Sequence, residues 1–318
     1  MELRQVGRSD LKVSVLSLGC WAMGADESDI GWGKVKDEES IASVHAAIDA
    51  GINLFDTAEE YGNGKSEEVL GKALKGNREK VIISSKVYTN HLKKEDVIKA
   101  LEGSLKRLGT DYVDIYYIHW PNPEIPLSET MEALLKLKEK GEIRVIGVSN
   151  FDVNQITECL KLGRIEALQP PYNLFWRHIE ENLVPFCMKN EISIFTYSPL
   201  AQGLLTGKFK SPEEKFDNIR SHDLLFQGET FRVALEQVER LREIAKRYRK
   251  TPAQTALNWT LNQPGITSLI VGAKRPRQLM ENIGAVDWGL SQEDISAMDS
   301  MGKTVMATLK DKNPSFFC

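Results

Sequence analysis

The chain has 318 residues, of which 41 are Lys or Arg and 45 are Asp or Glu, giving a net charge of −4. No block of one sign stands out, which argues against an extended nucleic-acid face or a polybasic membrane patch, so neither partner is expected. With 42% hydrophobic residues and 23 Gly, the composition is that of an ordinary globular protein, and it excludes the disordered, collagenous and disulfide-scaffold classes.

In chain order, short β-branched apolar runs alternate with longer amphipathic ones. A strand is expected over Val13–Cys20 and a helix over Glu38–Ala50, then a strand over Asn53–Asp56 and a helix over Ser66–Leu74. The strand Val81–Lys86 precedes the helix Lys94–Leu108, and Tyr112–His119 precedes Ser128–Lys140. Next, Arg144–Val148 precedes Val153–Leu162, and Ala167–Gln169 precedes Glu181–Asn190. Ser193–Tyr197 leads into a loop, Thr206–Gly228, and a helix over Phe231–Arg249. Pro252 opens the next helix, Ser268–Val271 is the last strand, and helices from Arg277 and Ser291 follow. Unbroken apolarity, as in Val81-Ile82-Ile83, marks a parallel strand covered on both faces. Ser66, ahead of Glu67 and Glu68, reads as a helix cap; Gly109 and Gly141 read as C-terminal caps, and Pro252 as a first-turn residue.

Eight strands alternating with helices fit one (β/α)8 TIM barrel over residues 1–318, with the active site at the C-terminal ends of the strands, better than two doubly wound domains. No linker or repeat divides the chain. Met1-Glu2-Leu3-Arg4-Gln5 lacks the apolar run of a signal peptide, and Pro252, Pro264, Gly265 and Gly272 break the long uncharged stretch Thr251–Ala273. Cys20, Cys159, Cys187 and Cys318 show no C-x-x-C pair and no metal-ligand spacing with His. They read as reduced thiols of a cytoplasmic protein without a metal site.

In such a barrel, functional groups stand where strands end. Six consecutive strands end in Asp56, Lys86, His119, Ser149-Asn150, Gln169 and Tyr197-Ser198. Polarity returns at any strand end, but Asp, Lys and His together at a barrel mouth are costly to desolvate without partners. Tyr61 lies in the loop just beyond Asp56. An ammonium beside a phenol is expected to lower its pKa, a carboxylate to hold the lysine charged, and a histidine to donate to a carbonyl oxygen. The set makes a proton donor and an oxyanion site. It lacks an electron source, which a hydride-donating cofactor would supply.

Asp56-Thr57-Ala58 with Tyr61-Gly62, Ser84-Ser85-Lys86-Val87, Ile118-His119-Trp120-Pro121, Gly147-Val148-Ser149-Asn150-Phe151 and Tyr197-Ser198-Pro199-Leu200 resemble the signature blocks of the aldo-keto reductases, in the family's order from Leu11 to about Met301. Gly203-Leu204-Leu205-Thr206-Gly207-Lys208, with Gly272, Ala273, Gln278, Leu279, Glu281 and Asn282, is most similar to the bacterial branch related to potassium-channel β-subunits. The resemblance implies NADPH-dependent reduction of a small carbonyl substrate, with Tyr61 as general acid, Lys86 and Asp56 assisting, and His119 orienting the carbonyl. It implies that Ser149, Asn150 and Gln169 hold the nicotinamide carboxamide while Tyr197 stacks on the ring. Ser198, Pro199, Leu200, Gln202 and Gly203, with Lys208, would lie along the pyrophosphate. Lys274 and Arg275 would meet the adenosine 2′-phosphate, and Gln278, Glu281 and Asn282, beyond Gly272, the adenine side. Position 278 is Gln where many members carry Arg, and Arg220 in the long loop is the candidate compensating charge.

Other features read blandly. The phosphate-loop look of Gly62-Asn63-Gly64-Lys65-Ser66 fails because position 59 is Glu, and no G-x-G-x-x-G follows a strand. His45, His91, His178 and His222 form no ligand pairs, and Asn258-Trp259-Thr260 is a sequon inside a helix. Trp21, Trp32, Trp120, Phe175 and Trp176 divide between core and a substrate wall, Trp259 and Trp288 suit the core, and Cys20 suits a buried inert thiol. A slow-turnover, cofactor-binding regulatory or redox-sensing subunit is the alternative reading, weakened by the lack of a long N-terminal extension. The sequence leaves the substrate, the direction of reaction and the oligomeric state open.

Overall fold

Strand pairing in the computed structural model, which describes residues 1–25 and 35–309, closes into a ring. The eight members are β3 (Leu16–Gly19), β4 (Leu54–Asp56), β5 (Ile82–Val87), β6 (Val113–Ile118), β7 (Ile143–Ser149), β8 (Ala167–Gln169), β9 (Ser193–Thr196) and β10 (Ile266–Gly272), all parallel, with β10 returning to β3. Helices α1 (Asp37–Asp49), α2 (Lys65–Ala73), α3 (Lys94–Leu108), α4 (Leu127–Glu139), α5 (Val153–Leu162) and α6 (Leu183–Lys189) each follow a strand. After β9 come α7 (Gly228–Arg247) and α8 (Pro252–Leu261), and after β10 come α9 (Pro276–Ile283) and α10 (Gln292–Met306). This is the expected (β/α)8 barrel, with a helix between consecutive barrel strands because parallel neighbours need a crossover. Among the described residues no helix is long and apolar enough to cross a membrane.

The expected first strand divides in two. Lys12–Ser14 (β2) pairs antiparallel with Leu3–Gln5 (β1), and only Leu16–Gly19 joins the barrel. The break is at Ser14, whose Oγ donates to the Leu16 carbonyl at 2.6 Å and whose backbone N–H donates to Asn53 Oδ1 at 2.7 Å. The hairpin closes the bottom of the barrel. Val6, Leu11 and Val13 are buried among the lower inward residues Leu54, Ile82, Ile115, Val145, Ala167, Phe195 and Ile270. The Gly7 N–H donates to Ser193 Oγ at 2.9 Å, and the Arg8 N–H to Glu166 Oε2 at 2.8 Å, both at strand starts.

Two further expectations are corrected. Ser66 is not a cap: α2 is capped at Gly64, in the left-handed region at φ 88, and Ser66 is fully buried with its Oγ donating to the Cys20 carbonyl at 2.8 Å. Residues 206–228 are more than a loop, since they hold two short 3₁₀ turns and the rings of Phe209, Phe216 and Phe226, which pack with Phe231 of α7 at centroid distances of 5.0–6.4 Å. Gly109 (φ 67) and Gly141 (φ 79) do end helices, and Pro252 opens α8 behind a Thr251–Gln254 capping box.

Candidate active site

The residue that begins the site is set by strand alternation. Side chains two apart on a strand share a face, so the inward apolar residues Leu54, Ile82, Ile115 and Ala167 are followed upward by Asp56, by Ser84 and Lys86, by Tyr117 and His119, and by Gln169. On β7 the climb runs Val145, Gly147, Ser149. A Cβ at Gly147 would fall 2.4 Å from the Tyr117 ring, so only glycine leaves that ring its space.

Lys86 is wholly buried. Its Nζ donates to Asp56 Oδ1 at 2.7 Å, to the Thr57 carbonyl at 2.8 Å and to the Tyr61 hydroxyl at 3.0 Å. Asp56 Oδ2 in turn accepts from Ser84 Oγ and from Gln169 Nε2, both at 2.8 Å. Tyr61 reaches inward from a tight turn in which Gly62, Asn63 and Gly64 all take positive φ. The His119 ring stands edge-on to Tyr61 at 5.7 Å and to Tyr88 at 5.8 Å, and Trp21 lies 6.2 Å from Tyr61.

Burial decides the protonation of this group. It raises the Tyr61 phenol above the ordinary tyrosine value and outweighs Lys86, which pulls the other way. The expected lowering therefore does not occur: removal from water costs the phenolate more than one neighbouring ammonium returns. Burial also opposes the Lys86 charge, but Asp56 and then Tyr61 outweigh it and raise Lys86, which stays an ammonium. Burial, then the Lys86 charge, hold His119 well below the ordinary imidazole range, so it is neutral at pH 7. The result is a protonated phenol against a held ammonium, beside a neutral imidazole whose buried Nδ1 has no hydrogen-bond partner among the described residues. Such a trio can deliver a proton to an oxygen and stabilise charge left behind.

A second set adjoins it. Ser149 Oγ donates to the Gln169 carbonyl at 2.8 Å, Asn150 Nδ2 to the His119 carbonyl and to Ser149 Oγ at 3.0 Å, and the Tyr197 hydroxyl to Asn150 Oδ1 at 2.8 Å. After β9 the backbone turns through positive φ at Ser198, Ala201, Gln202 and Gly203, with Pro199 and Leu200 between, and Gln202 Oε1 is buried without a partner among the described residues. Lys208 lies against Gly203, and the Arg220 Nε donates to the Gln202 carbonyl at 3.0 Å. Lys208 and Lys274 are both lowered, by burial first and then by the charge of Arg220, so three cations crowd one region. Farther out, Gln278 Oε1 accepts from the Lys274 N–H at 2.9 Å, Asn282 Nδ2 donates to the Gly272 carbonyl at 3.4 Å, and Arg275 Nε donates to Glu39 Oε1 at 3.1 Å. The Glu281 side chain is exposed.

All four candidate catalytic residues thus meet at one point, and Gln169 joins them through Asp56 rather than standing only with Ser149 and Asn150. Of the aromatic candidates, Trp21 and Trp120 neighbour Tyr61 and His119, Phe175, Trp176 and Trp259 are buried in the core, Trp288 is half-buried, and Trp32 lies outside the described residues, as does Cys318. Cys20 is fully buried with its thiol pushed up by burial and then by Asp56, an inert state. Two contributors went unmarked. Ser84 was legible as the inward residue two before Lys86, whereas Asn173, buried and donating to the Ser198 carbonyl at 3.0 Å, carries no sequence signal.

Comparison with known proteins gives the family. The aldo/keto reductase family model matches residues 15–303. Aldo-keto reductase YhdN of Bacillus subtilis is 39% identical over 307 residues, covering 92% of this chain and 91% of the relative. The NADH-specific methylglyoxal reductase of Escherichia coli is 34% identical, covering 94% and 98%. A probable voltage-gated potassium channel subunit beta of rice is 33% identical, covering 90% and 92%. Among solved structures, an aldo-keto reductase from Klebsiella pneumoniae in complex with NADPH superposes with a TM-score of 0.77 at 33% identity, covering 95% of each chain. The chain belongs to the aldo/keto reductase family and is a nicotinamide-dependent oxidoreductase.

Proposed function

We propose that the protein reduces aldehydes or ketones to alcohols with NADPH, the whole chain serving as one catalytic domain with Tyr61 as the general acid. The observation that carries this is the wholly buried Lys86 ammonium held between Asp56 and the Tyr61 hydroxyl. Support for the cofactor comes from four features of the chain. They are the positive φ at Ser198, Ala201, Gln202 and Gly203, the buried Gln202 Oε1 without a partner among the described residues, the crowded cations Lys208, Arg220 and Lys274, and the open ground at Gly272, where an added Cβ would meet no atom of the described residues within 4 Å. Ser149, Asn150, Gln169 and Tyr197 would hold the nicotinamide end, Ser198–Gly203 with Lys208 and Arg220 the pyrophosphate, and Lys274, Arg275, Gln278 and Asn282 the adenosine end. When bound, the cofactor supplies a hydride.

The chain's own residues do the rest. Neutral His119 donates a hydrogen bond that orients the carbonyl oxygen toward Tyr61. The Tyr61 hydroxyl gives its proton to that oxygen. The phenolate left behind lies against Lys86, and Asp56, itself held by Ser84 and Gln169, keeps that ammonium in place. Trp21, Tyr88 and Trp120 wall the mouth with apolar surface, which suits a small apolar carbonyl compound.

NADPH absorbance followed with a panel of simple aldehydes, with NADH alongside, tests this reading. Aldehyde-dependent loss of NADPH is expected, and Tyr61→Phe should lower turnover by about a hundredfold or more while leaving cofactor affinity within about twofold. Near-normal turnover in Tyr61→Phe would refute the assignment of the acid. Tight NADPH binding with no turnover of any carbonyl would favour the alternative reading, a cofactor-binding regulatory or redox-sensing subunit.

A further inference from the structure

On the rim of the barrel, away from the reacting groups, a cavity of about 270 Å³ is lined by Val35, Glu39, Lys274, Arg275 and Gln278. Two of these residues carry positive charge and one, Glu39, negative. Glu39 belongs to the first turn of α1, an element that none of the family blocks touches, and it is brought here by the packing of α1 on α9. Its Oε1 accepts from Arg275 Nε at 3.1 Å, while Gln278 is occupied with the Lys274 backbone N–H at 2.9 Å.

We infer that Glu39 is a specificity-determining residue that restrains the preference for the 2′-phosphorylated cofactor. The inference rests on the proposed use of a nicotinamide dinucleotide and on the placement of its adenosine end at Lys274 and Arg275. A phosphate monoester there carries nearly two negative charges at pH 7. It must compete with Glu39 for the Arg275 guanidinium, and it gains a carboxylate as a neighbour in the same wall. A ribose 2′-hydroxyl faces neither cost, because a carboxylate is the acceptor such a hydroxyl needs. Gln278 is neutral where an arginine would add a cation, so among the described residues the phosphate has only Lys274 and Arg275 as cations in this wall, and Glu39 offsets one of them. The cavity therefore admits both cofactors and discriminates only moderately.

Direct binding of NADP+ and NAD+ to the purified protein, titrated by quenching of tryptophan fluorescence, reads this without turnover. Glu39→Gln should tighten NADP+ by roughly two- to fivefold and leave NAD+ unchanged or weaker, a modest gain because solvent screens a pair this exposed. The gain should shrink in about 1 M salt, as a charge effect must and a packing effect need not. Arg275→Gln should weaken NADP+, and adding Glu39→Gln to it should restore less than the single change gains. Glu39→Lys is a second variant at the same half-exposed site and should tighten NADP+ further. Binding of both dinucleotides with the NADP+ to NAD+ ratio of Glu39→Gln within twofold of the parent would overturn this inference alone. Equal tightening of both would do the same. Binding of neither dinucleotide by the parent would overturn the functional reading, and this inference with it.

Discussion

Lys86 illustrates how far one residue's state depends on its neighbours. Alone at that depth an ammonium would lose its proton, but Asp56 and the Tyr61 hydroxyl outweigh the burial and raise it. Lys86→Met should therefore lower turnover by about a hundredfold or more without unfolding the chain, measured as kcat beside a thermal melt, because the phenolate loses its ammonium. The pH dependence follows from the same shifts. Tyr61 is raised above the ordinary tyrosine value and so keeps its proton across the neutral range, while His119 is lowered well below the ordinary imidazole value and so stays neutral there. Reduction should accordingly be level from about pH 6.5 to 9 and fall only as the pH rises toward deprotonation of the phenol. A step near pH 6.5 in kcat/KM would mean that His119 titrates in that range, against this account.

At the scale of elements, α2 and the turn before it deliver Tyr61, and one buried carboxylate ties them down. Glu67 is wholly buried, accepts from Ser85 Oγ at 2.6 Å on β5, and accepts from Arg107 Nε at 2.7 Å on α3. Arg107 also lies over Gly64, where a Cβ would fall 2.6 Å from its side chain, so the turn, the helix and the neighbouring helix interlock. Arg107→Met leaves a buried carboxylate without its ion partner and should cost about 3 kcal/mol in urea unfolding, while the conservative Arg107→Lys should cost less. Gly147→Ala is the matching test inside the barrel: crowding the Tyr117 ring should cost about 1–3 kcal/mol and lower the melting temperature.

Across the whole molecule, the segment after β9 is held against α7 by a small core in which Phe209, Phe216 and Phe226 pack with Phe231, and Arg220 lies over Phe209 and Phe226. Asp223 lies within it, its carboxyl pushed up to about 7 by burial, with Oδ1 accepting the Leu225 N–H and Oδ2 without a partner among the described residues. A carboxyl raised above its unfolded value favours the folded state when protonated, so its contribution is full below about pH 4 and is lost as pH rises through about 7. Protection of this segment against hydrogen exchange should therefore decline between pH 5 and 8, and Asp223→Asn should flatten that decline. An unchanged slope in Asp223→Asn would place the titration elsewhere.

Strand alternation and the order of the strand-end blocks made the barrel and its four central residues legible, because both are set along the backbone: residues two apart share a face whatever else the chain does. Asp56, Lys86, His119 and Gln169 could be placed at one mouth on that ground alone. What depends on groups distant in the chain could not be read in this way. The first apolar run gave no sign that it splits at Ser14 into a bottom hairpin and a barrel strand, since Asn53, Glu166 and Ser193 supply the bonds that hold the hairpin. The Tyr61 phenol shifts opposite to the direction that its neighbour Lys86 suggests, because that pairing is local whereas burial is a property of the closed barrel. Glu39 and Arg275, 236 positions apart, meet only because α1 and α9 pack side by side. Which chemistry lines the barrel mouth follows from local order along the backbone, because strand ends and their residue types are fixed there. How strongly each group is buried, and with which distant charge it is paired, depends on contacts that form only when the barrel closes.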